Sequence, residues 1–251
     1  MYMQYQSLRK AASSKLMLFA TISMLLILLS APAMVWYLME PSLSSIPIRY
    51  DMLPYLKITI MIVLIPAIGI GALPVIAMFM IFANARSNRP MKTAGFTILR
   101  GYMIAMIAGS SILLIFSIPT RVFSFRTIST FLSMLIQLFL SIGAVSALKT
   151  AKEVVRFGAS YRQFPTYLPV LLILSLCISA VTLLVSVLAN TVPALTAVLA
   201  EYRIESAAAY YVRVSYAALG LIASLLYILL CFRGKKALSR KQKEFPYEHN
   251  D

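Results

Sequence analysis

The sequence has few of the residues on which most enzymes depend. Its 251 positions contain one histidine, His249, and two cysteines, Cys177 and Cys231. A single histidine near the end of the chain excludes a Ser-His pair within an apolar segment and a zinc site on an HExxH helix. The cysteines form no CxxC pair and lie within apolar segments, which argues against a disulfide framework or a thiolate metal site.

Acidic residues are absent from every long apolar segment. Five of the eight precede the C-terminal tail, namely Glu40, Asp51, Glu153, Glu201 and Glu205. Without a carboxylate in the membrane, an aspartyl protease site and a buried proton relay are excluded. No GxxxxGK[ST], GxSxG or GxGxxG motif occurs. We therefore predict a protein that is not an enzyme, with no catalytic residue, cofactor or metal site.

Most residues of the chain are apolar. They account for 61% of the chain and charged residues for 12%, against roughly 45–50% and 25% in a soluble domain. The net charge of +15 does not indicate a nucleic-acid partner, because the cations lie between apolar runs rather than on one face of a soluble domain. The predicted main partner is the lipid bilayer.

Division of the chain at its charged residues predicts six transmembrane helices, since roughly 20 helical residues cross a bilayer core. The predicted spans are 16–39, 57–83, 101–118, 128–148, 168–190 and 212–232, followed by a short basic tail at 233–251. No other segment is long enough for a soluble core. The predicted fold is therefore an all-α, polytopic six-helix membrane bundle, with residues 1–251 forming one membrane domain.

The distribution of lysine and arginine predicts the orientation. With the N-terminus inside, 17 of the 23 basic residues fall in cytoplasmic segments and six outside. Basic residues concentrate in cytoplasmic loops, so both termini are predicted to be cytoplasmic. Abundant methionine and isoleucine and the absence of an Asn-x-Ser/Thr sequon favour a bacterial cytoplasmic membrane.

The first span has an alternative interpretation as a signal peptide. Basic residues precede its apolar run, and Ala31-Pro32-Ala33 resembles a small-residue cleavage site. The uncharged run nevertheless continues to Met39, which is longer than a typical signal-peptide core. An uncleaved span is therefore favoured.

Two segments outside the spans show helical spacing of apolar residues. Tyr5, Leu8 and Ala12 recur at helical spacing within residues 1–15, which indicates either an interfacial helix or, equally, a frayed basic end. Apolar residues also recur at helical spacing over 194–210, which predicts an amphipathic helix leading into the last span.

The second predicted span contains residues that bend or interrupt helices. Pro66, Gly69, Gly71 and Pro74 occur within 28 uncharged residues and predict a kink or local unwinding near 66–74. Broken membrane helices form transporter sites, but proline and glycine are also common in ordinary membrane helices. The interpretation of these residues as ordinary components of a membrane helix is favoured over a transporter site.

Small and polar residues recur along three further spans. Gly101, Ala105 and Gly109 on the third predict close helix packing. Polar residues recur on the fourth and fifth spans at Ser129, Ser133, Gln137, Ser141, Ser175, Ser179, Thr182 and Ser186. We call these two rows of polar residues the polar stripes. Either the two stripes face each other and form hydrogen bonds between the helices, which is favoured, or they line a hydrated path. The candidate functional residues are Ser133, Gln137, Ser179 and Thr182, and Gln137 is the strongest because its amide needs several partners.

Two functions fit these features. One is a permease-type component that transports a small or amphipathic molecule, with a separate ATPase docking on the basic loops 84–100 and 149–166. Six spans, inward termini, an N-terminal interfacial helix and an outer helix before the last span together resemble the general plan of ABC-2-type export permeases, without a shared signature motif. The alternative is a non-catalytic scaffold or regulatory partner of another membrane protein.

Overall fold

The computed structural model describes residues 2–44, 53–116, 125–160, 162–192 and 207–239. These residues form an all-α structure. The helices are α1 (Tyr2–Ala12), α2 (Lys15–Ser44), α3 (Leu53–Arg86), α4 (Ala94–Phe116), α5 (Phe125–Phe157), α6 (Leu168–Thr191) and α7 (Ala207–Ser239). Most of the predicted amphipathic helix at 194–210 lies outside the described residues.

The helices from α2 to α7 are each long and apolar enough to cross a membrane. Their apolar stretches are Lys15–Val35, Ile68–Arg86, Ala94–Ile115, Ile128–Phe157, Leu168–Thr191 and Ala207–Leu238. Only a helix satisfies every backbone hydrogen bond of such a segment within itself when lipid is the solvent. The prediction of an all-α fold with six membrane helices is confirmed. The first of these helices continues through Ala31-Pro32-Ala33 without a break.

The chain divides into two compact units. The first unit comprises residues 1–21, 73–175 and 225–251, and the second comprises 22–72 and 176–224. In the first unit α4 packs along α5, and α1 packs on α5. Val154 and Thr150 of α5 are almost completely buried there.

The second unit buries small side chains and exposes large apolar ones. Ala189 and Ala209 are buried, whereas Leu29, Ile65 and Leu184 are more than half exposed. This distribution is typical of membrane helices, because lipid solvates leucine and isoleucine well and small residues let helices approach closely. A Cβ atom at Gly71 would lie 2.9 Å from Cδ1 of Leu28, which shows such an approach between α3 and α2.

In the first unit, α3 and α4 approach each other closely at a glycine that the sequence analysis did not single out. A Cβ atom at Gly95 would lie 2.8 Å from the carbonyl oxygen of Ala77 and 2.8 Å from Cγ1 of Ile81. At Gly101 and Gly109, by contrast, a Cβ atom would meet nothing within 4 Å. Helix α4 therefore meets α3 through its first turn, and the predicted small-residue stripe does not pack within the described part of the chain.

Helix α3 is continuous through the four residues that predicted an irregularity. Pro66 and Gly69 are exposed, Gly71 is half-buried and Pro74 is almost completely buried. The helix does not unwind near 66–74. A bend there stays a prediction.

Candidate functional site

Helix α1 is amphipathic and has one buried face. Gln4, Leu8 and Ala12 are spaced four residues apart and are 4%, 6% and 7% exposed. Residues three or four apart share a face of a helix. Of the two interpretations of residues 1–15, the helix is confirmed over Tyr2–Ala12, and the frayed end is wrong there. The location of this helix at the membrane interface stays a prediction.

The polar residue on this face holds two distant segments together. The amide nitrogen Nε2 of Gln4 donates a hydrogen bond of 3.0 Å to the carbonyl oxygen of Leu238, near the end of α7. Its amide oxygen Oε1 accepts a hydrogen bond of 3.2 Å from the backbone N–H of Ser160, just after α5. Because Gln4 is buried, both bonds replace water that the backbone groups of Leu238 and Ser160 would otherwise need.

Two further side chains tie α1 to the end of α3 and the segment after it. The backbone N–H of Met91 donates a hydrogen bond of 2.8 Å to the hydroxyl of Tyr5. The guanidinium of Arg9 donates from Nε to the carbonyl oxygen of Ala85 at 3.0 Å and from Nη2 to that of Ser87. The last carbonyls of a helix have no partner within it, and they favour a cation.

The turn after α5 brings a polar cluster to the same end of the unit. Gly158 has φ of 76°, and its N–H donates a hydrogen bond of 2.8 Å to the carbonyl oxygen of Val154, which closes the helix with a left-handed cap. The hydroxyl of Ser160 then donates to the carboxylate of Glu153 at 2.7 Å, and Nε of Arg162 lies 2.9 Å from that carboxylate. The turn is therefore fixed to α5 on one side and, through Ser160, to α1 on the other.

These contacts define a surface that we call the basic platform. It consists of α1, the segments 87–93, 158–160 and 162–167 and the last turns of α7, with the helix ends that adjoin them. Its basic residues are Arg9, Lys10, Lys15, Arg86, Arg89, Lys92, Arg100, Lys149, Lys152, Arg156, Arg162, Arg233, Lys235 and Lys236. Among the described residues of the platform the one carboxylate is that of Glu153, so the surface carries a strongly positive potential.

The four polar residues predicted from the sequence fall in different units. Ser133 and Gln137 belong to the first unit, and Ser179 and Thr182 to the second. Ser133, Gln137 and Ser179 are exposed, and Thr182 is half-buried. Whether the two stripes form a seam or line a path stays a prediction.

Three hydroxyls of these stripes bond to their own helices, whereas the buried hydroxyl of Ser186 has no partner among the described residues. Ser133 donates to the carbonyl oxygen of Ser129 at 2.7 Å, Ser141 to that of Gln137 at 2.9 Å, and Thr182 to that of Ile178 at 2.9 Å. Serine and threonine make such bonds commonly within helices. The hydroxyls of Ser133, Ser141 and Thr182 therefore do not need a partner on another helix.

The stripe on α5 does not stay on one face. Residues four apart advance by about 400° around a helix, so each step turns the stripe by roughly 40°. Ser133 and Gln137 are exposed, but Ser141 is only 1% exposed. The exposed polar part of α5 therefore centres on Ser133 and Gln137.

The sequence analysis missed Gln4, although a signal was present. Gln4 precedes Leu8 and Ala12 by four and eight residues, which places an amide on the apolar face of the first helix. Its partners are backbone groups, which carry no signature in the sequence. Within the described residues no group of three or more His, Cys, Asp or Glu side chains is placed to hold a metal ion.

No protein-family model, curated protein or solved structure matches the chain. Its class therefore follows from its own structure. Six long apolar helices make it a multi-pass α-helical integral membrane protein.

Proposed function

We propose that the protein is a permease-type membrane subunit that works with a separate ATPase, and that the ATPase docks on the basic platform. The observation that supports this proposal is the set of hydrogen bonds that Gln4, Tyr5 and Arg9 make, which fix α1 across the ends of α3, α5 and α7. A docking partner that pushes on this surface moves helix ends directly. The substrate class is a small or amphipathic molecule, since the one carboxylate in the described spans, that of Glu153, lies at the end of α5 and is already bound by Ser160 and Arg162, which does not suit ion pumping.

The proposal places the basic platform in the cytoplasm, where ATP is. Fourteen lysine and arginine residues lie at this end of the first unit, and membrane proteins concentrate such residues on the cytoplasmic side. Both chain termini are then cytoplasmic, and the membrane is a bacterial cytoplasmic membrane. Fusion of a reporter active only in the cytoplasm to the end of the chain tests the orientation, and an inactive fusion would contradict it.

The charge of the platform specifies the chemistry of the docking partner. Arg89 and Lys92 are exposed on the segment that Tyr5 and Arg9 hold in place. Cations on an ordered backbone attract an acidic protein surface and raise its rate of association. The partner is therefore expected to present carboxylates to this segment.

Affinity purification of the tagged full chain in a mild detergent, followed by mass spectrometry, tests the docking. We expect an ATPase in stoichiometric amount with the wild type and little of it with the double variant Arg89→Glu/Lys92→Glu. Arg126→Glu is the matched control, because Arg126 lies at the opposite end of α5. Recovery of this chain alone, or equal recovery of the ATPase with both variants, would overturn the proposal.

A second function is favoured by a different observation. Gln137 and Ser179 are polar and exposed on membrane helices, where lipid is a poor solvent for them. A scaffold or regulatory subunit would cover such residues with another membrane protein. Recovery of a membrane protein instead of an ATPase in the same purification would favour this second function.

A further inference from the structure

The buried face of α5 continues beyond the part of the first unit that covers it. Thr150 and Val154 are 1% and 0% exposed, and Phe157 follows on the same face about one turn later. Phe157 is nevertheless 60% exposed, and Cζ of Arg156 lies 5.2 Å from the centre of its ring. On α1, which packs on α5, Met3 is 64% exposed. The basic platform therefore presents two large apolar side chains among its cations, a combination typical of a surface that binds another segment.

These apolar side chains lie beyond the lipid headgroups. Leu168 begins the apolar stretch of α6, and its Cδ1 would lie 2.8 Å from a Cβ atom at Gly143 of α5. Measured along α5, Phe157 is fourteen residues past Gly143 and eight past Lys149, the first charge after the apolar run, or about 21 Å and 12 Å. The headgroup layer is only roughly 5–8 Å thick on each side of the bilayer. Phe157 therefore faces water, and lipid does not cover it.

The chain itself contains a segment whose chemistry complements this surface. The last stretch of the sequence, residues 240–251, lies outside the described residues. Within it, residues 244–251 contain three carboxylates and two aromatic rings, those of Glu244, Glu248, Asp251, Phe245 and Tyr247. Carboxylates complement the cations of the basic platform, and aromatic rings pack well against both phenylalanine and methionine. Three of the eight acidic residues of the protein thus occur together in a segment that also carries apolar groups.

The connection to α7 brings this segment to the surface that it complements. Helix α7 ends one residue after Leu238. The carbonyl oxygen of Leu238 and the backbone N–H of Ser160 bind the same side-chain amide, that of Gln4. Ser160 follows Phe157 by only three residues. The seven residues from Leu238 to Phe245 span up to about 25 Å when extended, so the segment reaches Phe157 without a change in the described helices.

We propose that residues 244–251 bind the basic platform of the same chain, with their carboxylates on its cations and their aromatic rings against Phe157 and Met3. A short tether raises the effective concentration of a segment to the millimolar range, so a weak contact suffices. The bound segment covers part of the platform and thereby regulates the access of other proteins to it. The inference needs only the platform and does not rest on the proposed ATPase.

Photo-crosslinking of the purified full chain in phosphatidylcholine vesicles tests this contact. Benzoylphenylalanine in place of Phe157 keeps an aromatic ring there and reacts with whatever lies against it, and mass spectrometry of the digested protein identifies the product. Mixing copies of natural and heavy isotope composition distinguishes a crosslink within one chain from one between two. We expect a crosslink within one chain to residues 244–251. The same probe in place of Tyr55, which is exposed near the opposite end of α3, is the control and should not reach this segment.

Two double variants test whether charge holds the segment in place. Glu244→Gln/Glu248→Gln should lower the yield of the crosslink about fivefold, the combined effect of two exposed ion pairs. Lys241→Gln/Lys243→Gln is the matched control, because it removes two charges of the opposite sign from the same stretch and should not lower the yield. Both variants change only residues after α7, so the helices that form the platform keep their sequence.

Several results would overturn the inference. These are a probe at residue 157 that reacts with lipid alone, with a second copy alone or with nothing, and equal yields from the two charge variants. A crosslink from residue 55 to the segment would overturn it as well, since the contact would then not be specific. Failure to recover an ATPase in the affinity purification bears on the proposed function alone and leaves this measurement unaffected.

Discussion

The side chain of Gln4 donates a hydrogen bond of 3.0 Å to the carbonyl oxygen of Leu238, and so joins α1 to the last turn of α7. The two residues are 234 positions apart in the sequence. Closing so long a loop costs conformational entropy, and a buried bond between charge-free groups contributes only about 0.5–1.5 kcal/mol. The bond therefore does not hold the bundle together; it fixes the position of α1 on a bundle that lipid and helix packing already stabilise.

Replacement of Gln4 by leucine should release α1. The variant leaves the carbonyl oxygen of Leu238 and the N–H of Ser160 buried without partners, each costing about 1–3 kcal/mol. We expect a lower unfolding temperature in detergent and faster trypsin cleavage after Arg9 and Lys10. Gln6→Leu is the control, because Gln6 is exposed on the same helix. If both variants change the unfolding temperature and the rate of trypsin cleavage equally, the added hydrophobicity of α1 causes these changes, and the loss of the hydrogen bonds does not.

Replacement of Arg9 by alanine should loosen the end of α3 and the segment that follows it. The guanidinium bonds to the carbonyl oxygens of Ala85 and Ser87, and hydrogen bonds to a charged group contribute about 1.5–3 kcal/mol. We expect faster hydrogen exchange of the backbone amides over 85–91. The neighbouring variant Lys10→Ala removes the same charge from an exposed side chain and should leave this exchange unchanged. Comparable exchange in the two variants would contradict a specific role for Arg9.

The membrane helices could be predicted because lipid accepts only segments whose sequence is long, apolar and uncharged. A span needs a long uncharged run, and dividing the chain at charges finds such runs. The same procedure underestimates helix length, since a helix can continue into the aqueous phase. Helix α5 extends past the predicted end at residue 148 to Phe157, and its continuation carries Lys149, Lys152 and Arg156.

The contacts of the basic platform were not predictable in the same way. Gln4 bonds to backbone groups of Leu238 and Ser160, and any residue type would supply those groups. Which glycine lies at a helix crossing depends on how the helix is rotated about its axis, which spacing alone does not determine. For this reason Gly95 packs closely, whereas Gly101 of the predicted stripe does not.

Substitution of these two glycines should have opposite consequences. A Cβ at residue 95 would lie 2.8 Å from the backbone carbonyl oxygen of Ala77, so α3 and α4 must move apart. Such overpacking costs about 1–3 kcal/mol. The Cβ atom that Gly101→Ala adds has no atom within 4 Å of it. This variant should therefore be as stable as the wild type or more stable by up to roughly 1 kcal/mol, because alanine favours the helix. Thermal unfolding of both variants in detergent tests these two expectations. A Gly95→Ala protein as stable as the wild type would contradict the close approach of α3 and α4.

The turn at Gly158 should tolerate asparagine better than alanine. Its φ of 76° lies in the left-handed region, which costs an ordinary L-residue about 1–2 kcal/mol, whereas asparagine visits it more readily. We therefore expect stability to fall in the order glycine, asparagine, alanine when thermal unfolding is measured. Gly234→Ala on α7 is the control, because Gly234 is helical and a Cβ there meets nothing within 4 Å. Alanine strain at residue 158 should also move Ser160 away from Gln4, so Gly158→Ala is expected to speed trypsin cleavage after Arg9, as Gln4→Leu does. Unchanged cleavage alongside a lowered unfolding temperature would mean that the turn stabilises α5 without positioning α1.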